Sequence, residues 1–317
     1  MKKIPFLSTQ TITDKVQPKI SDSLPSLGAL LALCTFTCSV SAHAHAVIGE
    51  RVFPATLSFD DPGIQNEFSL NWGQLKLPNG NGSTTAANTY NLALSKTLAE
   101  GLTLNYATSY LQISPPAGPG TEGFNNSSVG LGYQLYGNAE HEFLLATNIN
   151  VQIAHTGSSA TGNATYDTIS PELVWGKGFG DLPWSVRYLR PLAITGAITP
   201  QLSTAASIPE TLNWAFSIQY STPYLQDYVH YLGIPEPLGN LIPIIELSMT
   251  STQYKGIGWQ TTGTINPGFI WVDNYGQIGL TAQIPVNRNS GSSVGVMLGV
   301  DFYIGDIFPH TLGRPLF

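Results

Sequence analysis

Along most of this chain, bulky apolar residues alternate with small or polar ones at a period of two. At that spacing successive side chains fall on opposite faces of a β-strand. Over 67–73, Phe68, Leu70 and Trp72 alternate with Glu67, Ser69, Asn71 and Gly73. Over 128–135, Val129, Leu131, Tyr133 and Leu135 alternate with Ser128, Gly130, Gly132 and Gln134. The pattern returns in Leu212, Trp214, Phe216, Ile218 and Tyr220, again in Ile278, Leu280, Ala282 and Ile284, and in Val294, Val296, Leu298, Val300, Phe302 and Ile304. One face of each run is large and apolar; the other is small or polar.

Charge decides where the apolar face points. A soluble β-sandwich also alternates, but it keeps its apolar face inside and solubilises the outer one with charges. Here only 10% of residues are charged, against about 25% in an average soluble protein. The polar face offers Gly, Ser, Asn and Gln in place of Lys and Glu. Past the N-terminal stretch no apolar run approaches the roughly 18 residues a spanning helix needs. A closed barrel in lipid satisfies all three observations, because its outside meets hydrocarbon and its inside meets water.

The spacers agree. Strands are expected near 64–75, 87–97, 102–112, 127–137, 142–154, 165–177, 183–195, 211–222, 241–251, 262–273, 276–285 and 293–304, most of them close to the length of a tilted spanning strand. Long connections rich in Gly, Ser, Asn and Pro lie at 76–86, 113–126, 155–164, 196–210, 252–261 and 286–292; short ones lie at 98–101, 138–141, 178–182 and 274–275. Outer-membrane barrels have short periplasmic turns, long outer loops and an even strand count. The expected fold is all-β: a transmembrane antiparallel up-and-down barrel of about 12 strands. One connection, 223–240, is long where a short one belongs. Tyr224, Leu225, Tyr228, Tyr231 and Leu232 fall there at spacings of three and four, Thr222 and Pro223 suit a helix start, and Pro235 and Pro237 end it. That predicts a short periplasmic helix near 224–232, packed at the inner rim or over the barrel floor.

Residues 1–46 read as a cleaved export signal: Lys2, Lys3, Lys15 and Lys19, an apolar run over 27–38, then Ala42-His43-Ala44-His45-Ala46 with two Ala-x-Ala cleavage sites. Residues 47–63 are expected to form an N-terminal periplasmic segment, 64–305 the outer-membrane barrel, and 306–317 a C-terminal tail. Both cysteines, Cys34 and Cys38, fall in the signal, which leaves no disulfide framework and no thiolate metal site. Removing the signal's four Lys and two Asp takes the net charge from −7 to −9. An acidic, Lys-poor chain has no electrostatic footprint for nucleic acid. Expected partners are the lipid bilayer, a small-molecule permeant and, during biogenesis, the barrel-assembly machinery, all at the outer membrane of a Gram-negative bacterium.

Nothing points to catalysis. His141, His155, His230 and His310 sit in expected turns, loops or the tail, none on a strand beside a Ser or Asp that could complete a triad. No metal-ligand spacing appears, and no cofactor is expected. Gly176-Lys177-Gly178-Phe179-Gly180-Asp181 lacks the spacing of a phosphate loop and no helix follows it; it suits a tight turn between strands.

The alternation projects Glu67, Glu142, Glu172, Glu246, Asp301 and Arg187 into the lumen. Glu172 and Arg187 lie equidistant from the turn near 179–180, so an antiparallel register sets them opposite each other. They would form a brace between strands or part of a charge-selecting constriction. Five acids against one Arg should disfavour anions.

Several stretches resemble the MetA-pathway of phenol degradation family of outer-membrane transporters. They are Pro171-Glu172-Leu173-Val174-Trp175-Gly176-Lys177-Gly178-Phe179-Gly180-Asp181-Leu182-Pro183, Leu189-Arg190-Pro191, Asn266-Pro267-Gly268-Phe269-Ile270-Trp271, and the tail Asp306-Ile307-Phe308-Pro309 with Gly313-Arg314-Pro315-Leu316-Phe317. The resemblance implies a non-enzymatic channel for passive uptake of small molecules, hydrophobic or aromatic ones among them. The alternative is a barrel without transport, acting structurally or through its outer loops.

Overall fold

The computed structural model describes residues 46–79, 83–254 and 258–317. The expected signal, except for its last residue Ala46, and the tips of the expected loops 76–86 and 252–261 lie outside them. A two-residue-turn hairpin comes first, β1 (Ala46–Ile48) and β2 (Arg51–Phe53), which pair with each other and, among the described residues, with no other strand. The wall follows: β3 (Glu67–Pro78), β4 (Thr84–Ala99), β5 (Leu102–Ser114), β6 (Thr121–Phe124), β7 (Ser128–Asn138), β8 (Phe143–Gln152), β9 (Thr168–Gly178), β10 (Leu192–Ser203), β11 (Thr211–Tyr220), β12 (Leu241–Tyr254), β13 (Gly258–Val272), β14 (Gly276–Pro285) and β15 (Gly295–Tyr303).

Each strand pairs antiparallel with its sequence neighbours, and β15 returns to β3, with Val300 opposite Leu70. The short β6 shares one position with β7. Both pair along the same edge of β5, β7 with Leu102–Ala107 and β6 with Tyr110–Ile113. The wall is therefore a closed barrel of twelve strand positions. Closure removes every sheet edge, and in hydrocarbon an unpaired backbone group would cost several kcal/mol.

The alternation sorts the faces as expected. Leu70, Ile149, Ile218, Ile245, Phe269, Ile278, Leu280 and Leu298 are exposed on the outer wall, and Phe68 stacks on Phe302 at 6.1 Å across the β3–β15 seam. Thr195, Ser217, Gln219, Glu246, Asn266, Gln277, Thr281 and Asp301 are buried on the inner one. Aromatic side chains crowd the short-turn rim. Trp184, Tyr188, Tyr231 and Tyr275 are exposed there, with the Arg187 guanidinium 4.8 Å from the Tyr188 ring centroid.

Two expectations are corrected. The seventh strand runs from Leu192 to Ser203, not over 183–195, because Trp184–Leu189 forms a 3-10 turn instead. The turn expected at 178–182 thus becomes a long connection on the short-turn side. The helix starts at Thr222, capped by the Ser221 hydroxyl rather than by Thr222. It continues as a wider turn over Leu225–Val229, so Tyr231 and Leu232 lie beyond it. The C-terminal tail packs back on the wall. Leu316 and Phe317 donate backbone hydrogen bonds to Thr97 and Leu98 at the end of β4, and the Lys96 ammonium donates to the carbonyls of Leu312 and Arg314.

Candidate functional site

The sequence pattern puts residues 47–63 in the periplasm. The structure instead places most of this segment inside the barrel, with the hairpin at the short-turn end. Phe53 is fully buried against Ala46, Leu144 and Ala193. Beyond it the chain carries Pro54 and Pro62, which cannot sustain a ladder, and it crosses the lumen as an irregular strap.

Side chains of the wall hold that strap. The Ala55 N–H donates to Gln277 Oε1 at 3.1 Å, and Gln277 Nε2 donates back to the Ala55 carbonyl at 2.7 Å. Glu246, fully buried, accepts from the Leu57 N–H at 2.8 Å and the Ser58 hydroxyl at 2.6 Å. At the far end Asn66 accepts from Lys96 Nζ and the Thr97 N–H, both at 2.9 Å, and donates to the Gly313 carbonyl at 2.8 Å. Glycines on the inner wall make the room. A Cβ on Gly176 would meet Pro62 Cγ at 2.9 Å and Phe53 Cε1 at 3.1 Å, and one on Gly279 would meet Leu57.

The hairpin is fixed by one cation. Arg51 is fully buried; its Nε donates to Glu142 Oε2 at 3.0 Å, and its terminal nitrogens donate to the carbonyls of Pro191 and Arg190 at 3.1 and 2.5 Å. The guanidinium lies 3.9 Å from the Tyr224 ring centroid. Glu142 also accepts from the Gly180 N–H and the Tyr224 hydroxyl, each at 2.9 Å. Burial, with the Glu142 carboxylate beside it, pushes the Tyr224 phenol up to about 12, which keeps it a donor.

Two cavities flank Phe59 and Asp60. One, of about 170 Å³, is lined by Asp60, Asp61, Glu67, Asn71, Asn105 and Asp301 among others. The second, of about 300 Å³, is lined by Asp60, Glu172, Thr199, Gln201, Asn213 and Thr250 among others. Asp61 lies on the inserted segment rather than on a spanning strand. Burial pushes its carboxyl up to about 7, the Asp60 and Asp301 carboxylates add to this, and hydrogen bonds from Gly63 and Gln65 oppose it. A carboxyl raised in the seated state binds its proton more tightly there. Its contribution is full below the ordinary value of about 4 and is lost as pH rises through about 7. The amides of 54–66, corrected for intrinsic exchange rate, should therefore show stronger hydrogen-exchange protection at about pH 5 than at about pH 8. Equal protection would mean that the Asp61 carboxyl does not feel the seat.

The six candidate residues divide. Glu67, Glu172, Glu246 and Asp301 face the lumen; Glu67 accepts from Gln65 and Ser69, and Asp301 from Gln277 Nε2 at 2.7 Å. Glu142 sits in the β7–β8 turn and faces the hairpin rather than the open lumen. Arg187 is not in the lumen at all. It lies in the 3-10 turn Trp184–Leu189 against Trp184 and Tyr188. The Glu172–Arg187 pair therefore does not form. Gly178 opposes Ala193, so the register sets the Glu172 position near Thr199, whose hydroxyl donates to Glu172 Oε1 at 2.9 Å while Asn148 donates to Oε2.

No known family's sequence profile matches this chain, and no curated protein does. Among solved structures it is similar to the COG4313 outer membrane channel from Pseudomonas putida F1, at 12% identity and a TM-score of 0.53. That match covers 80% of this chain and 98% of the channel. A KdgM porin in complex with disordered oligogalacturonate aligns at 13% identity and a TM-score of 0.43, covering 74% and 98%. The β domain of the Bordetella autotransporter BrkA aligns at 11% and 0.48, covering 76% and 99%. At such identities the likeness is one of fold. Fold alone does not fix function, so function must be argued from the lumen.

Proposed function

We propose that this chain is an outer-membrane channel through which small solutes diffuse, favouring cations and neutral polar molecules over anions. The observation that carries the reading is the charge of the inner wall. Glu67, Glu172, Glu246 and Asp301 project inward, while the strand lysines Lys76, Lys96 and Lys177 alternate to the outer face or the rim. Each inward carboxylate costs desolvation, and Glu67 and Asp301 line an unfilled cavity, as Glu172 lines a second. Like charges lining a pore set its ion preference. For an aromatic solute, as the phenol-degradation family resemblance implies, Phe59 offers a stacking surface beside both cavities. The assembly machinery and the bilayer are the partners this reading requires, and a cleaved signal at 1–46 is the export route.

The second reading, a barrel without transport, draws on the strap that fills much of the lumen. Planar-bilayer recording across a KCl gradient separates the two. The channel reading expects discrete openings with a reversal potential on the cation-selective side. Silence that persists when the strap's buried anchor is removed by Arg51→Ala supports the structural barrel, and anion selectivity contradicts the role given to the wall carboxylates.

A further inference from the structure

We propose that the hairpin and strap, residues 46–66, form a releasable plug whose latch is the buried Arg51–Glu142 pair. This rests on the channel reading and adds the means by which the pore opens and closes.

The wall is one continuous hydrogen-bonded sheet, whereas among the described residues β1 and β2 pair only with each other. No cysteine follows Cys38, so no disulfide ties the strap to the wall. Withdrawing the plug breaks no strand pairing of the barrel. Only the hairpin end meets an apolar patch, where Phe53 packs on Leu144 and Ala193. Along residues 55–58 the wall holds the strap through the Glu246 carboxylate and the Gln277 amide, whose hydrogen bonds water can replace. A wholly apolar wall would have made the plug a permanent core.

Arg51 gathers two backbone carbonyls, one carboxylate and one aromatic ring from three separate connections, 139–142, 179–191 and 221–240, onto a single side chain. Glu142 is one of only two described non-glycine residues with positive φ, at 45°. That left-handed backbone is unfavourable for a side-chain-bearing residue, and here it aims the carboxylate at Arg51, Gly180 and Tyr224. At the other end Asn66 is pinned by Lys96, Thr97 and Gly313, so the strap has a fixed hinge at Asn66 and a head latched at Arg51.

Breaking one partner of a buried ion pair strongly destabilises the state that contains it. The test uses the full chain with Cys34→Ser, Cys38→Ser and Thr56→Cys, folded into phosphatidylcholine vesicles and probed with a charged methanethiosulfonate reagent. Thr56 is 8% exposed in the seated strap. Adding Arg51→Ala should raise the labelling rate at least about tenfold by shifting the population toward the released state. Tyr224→Phe, which removes one hydrogen bond from Glu142, should raise it less and serves if Arg51→Ala does not fold, folding being read from heat-modifiable migration. Unchanged labelling in folded variants overturns the latch, whatever the conductance. Bilayer recordings on the same proteins keep the two claims apart. Faster labelling with lasting silence upholds the latch and defeats the channel reading; openings with unchanged labelling uphold the channel and defeat the latch.

Discussion

Replacing Leu298 with Arg is expected to cost the folded barrel about 2–4 kcal/mol, the range for a cation placed near the bilayer midplane on a lipid-facing strand. Leu298 lies in the middle of β15, paired with Leu280 and Trp72, and is 40% exposed. The matched control sits on the neighbouring strand and the opposite face. Asn71 lines the cavity that holds Asp60, Asp61, Glu67 and Asp301. Asn71→Lys brings a cation to four carboxylates, so it should change stability by less than about 1 kcal/mol or increase it. Urea titrations in lipid vesicles measure both. Equal costs would mean that the two faces do not differ in solvent, and the membrane reading would fall.

Gly176→Leu is the second large effect, with an expected cost of about 1–3 kcal/mol from overpacking. Its Cβ alone would press on Pro62 and Phe53. The comparison is Gly73→Ala, on the same inner face, where a Cβ would meet Met297 Cγ at an ordinary 3.4 Å. That change should stay within about 0.5 kcal/mol of wild type. If Gly176→Leu proves equally mild, the strap does not lie against β9.

The two faces of the wall were legible in the sequence. A period of two survives any uncertainty about strand ends, and it sets Leu70, Ile218 and Leu298 outside and Glu246 and Asp301 inside. The start of β10 is misleading, because Trp184, Val186 and Tyr188 alternate with Ser185 and Arg187 like a strand. In the structure they are exposed rim residues, Trp184 at 54% and Tyr188 at 49%, and a rim rewards aromatic residues whatever the backbone does. That displaced start carries Arg187 into the lumen on paper and creates a pair with Glu172 that does not form.

The plug was not legible, because an irregular strap has no period and its two prolines read as a linker. A signal for it is present on the opposite side. Gly132, Gly176, Gly178, Gly279 and Gly299 read as a small face turned toward water, yet each lies against a residue of the hairpin or strap. Water makes no demand for glycine; a second chain segment packed closely against the wall does. The latch is hidden for a different reason. Arg51 and Glu142 are 91 residues apart, and neither charge lies in a pattern that would announce its partner.

The central claim is that the N-terminal segment occupies the lumen of a closed barrel, and a cross-link tests it most directly. A Cβ built on Gly279 lies 3.3 Å from Leu57 Cγ, the position a cysteine sulfur would take, which approaches disulfide geometry. With Cys34 and Cys38 replaced by Ser, the pair Leu57→Cys and Gly279→Cys should oxidise in the folded, membrane-inserted protein and migrate as a closed loop that reductant opens. Two free thiols in a folded barrel under the same oxidant would contradict the account.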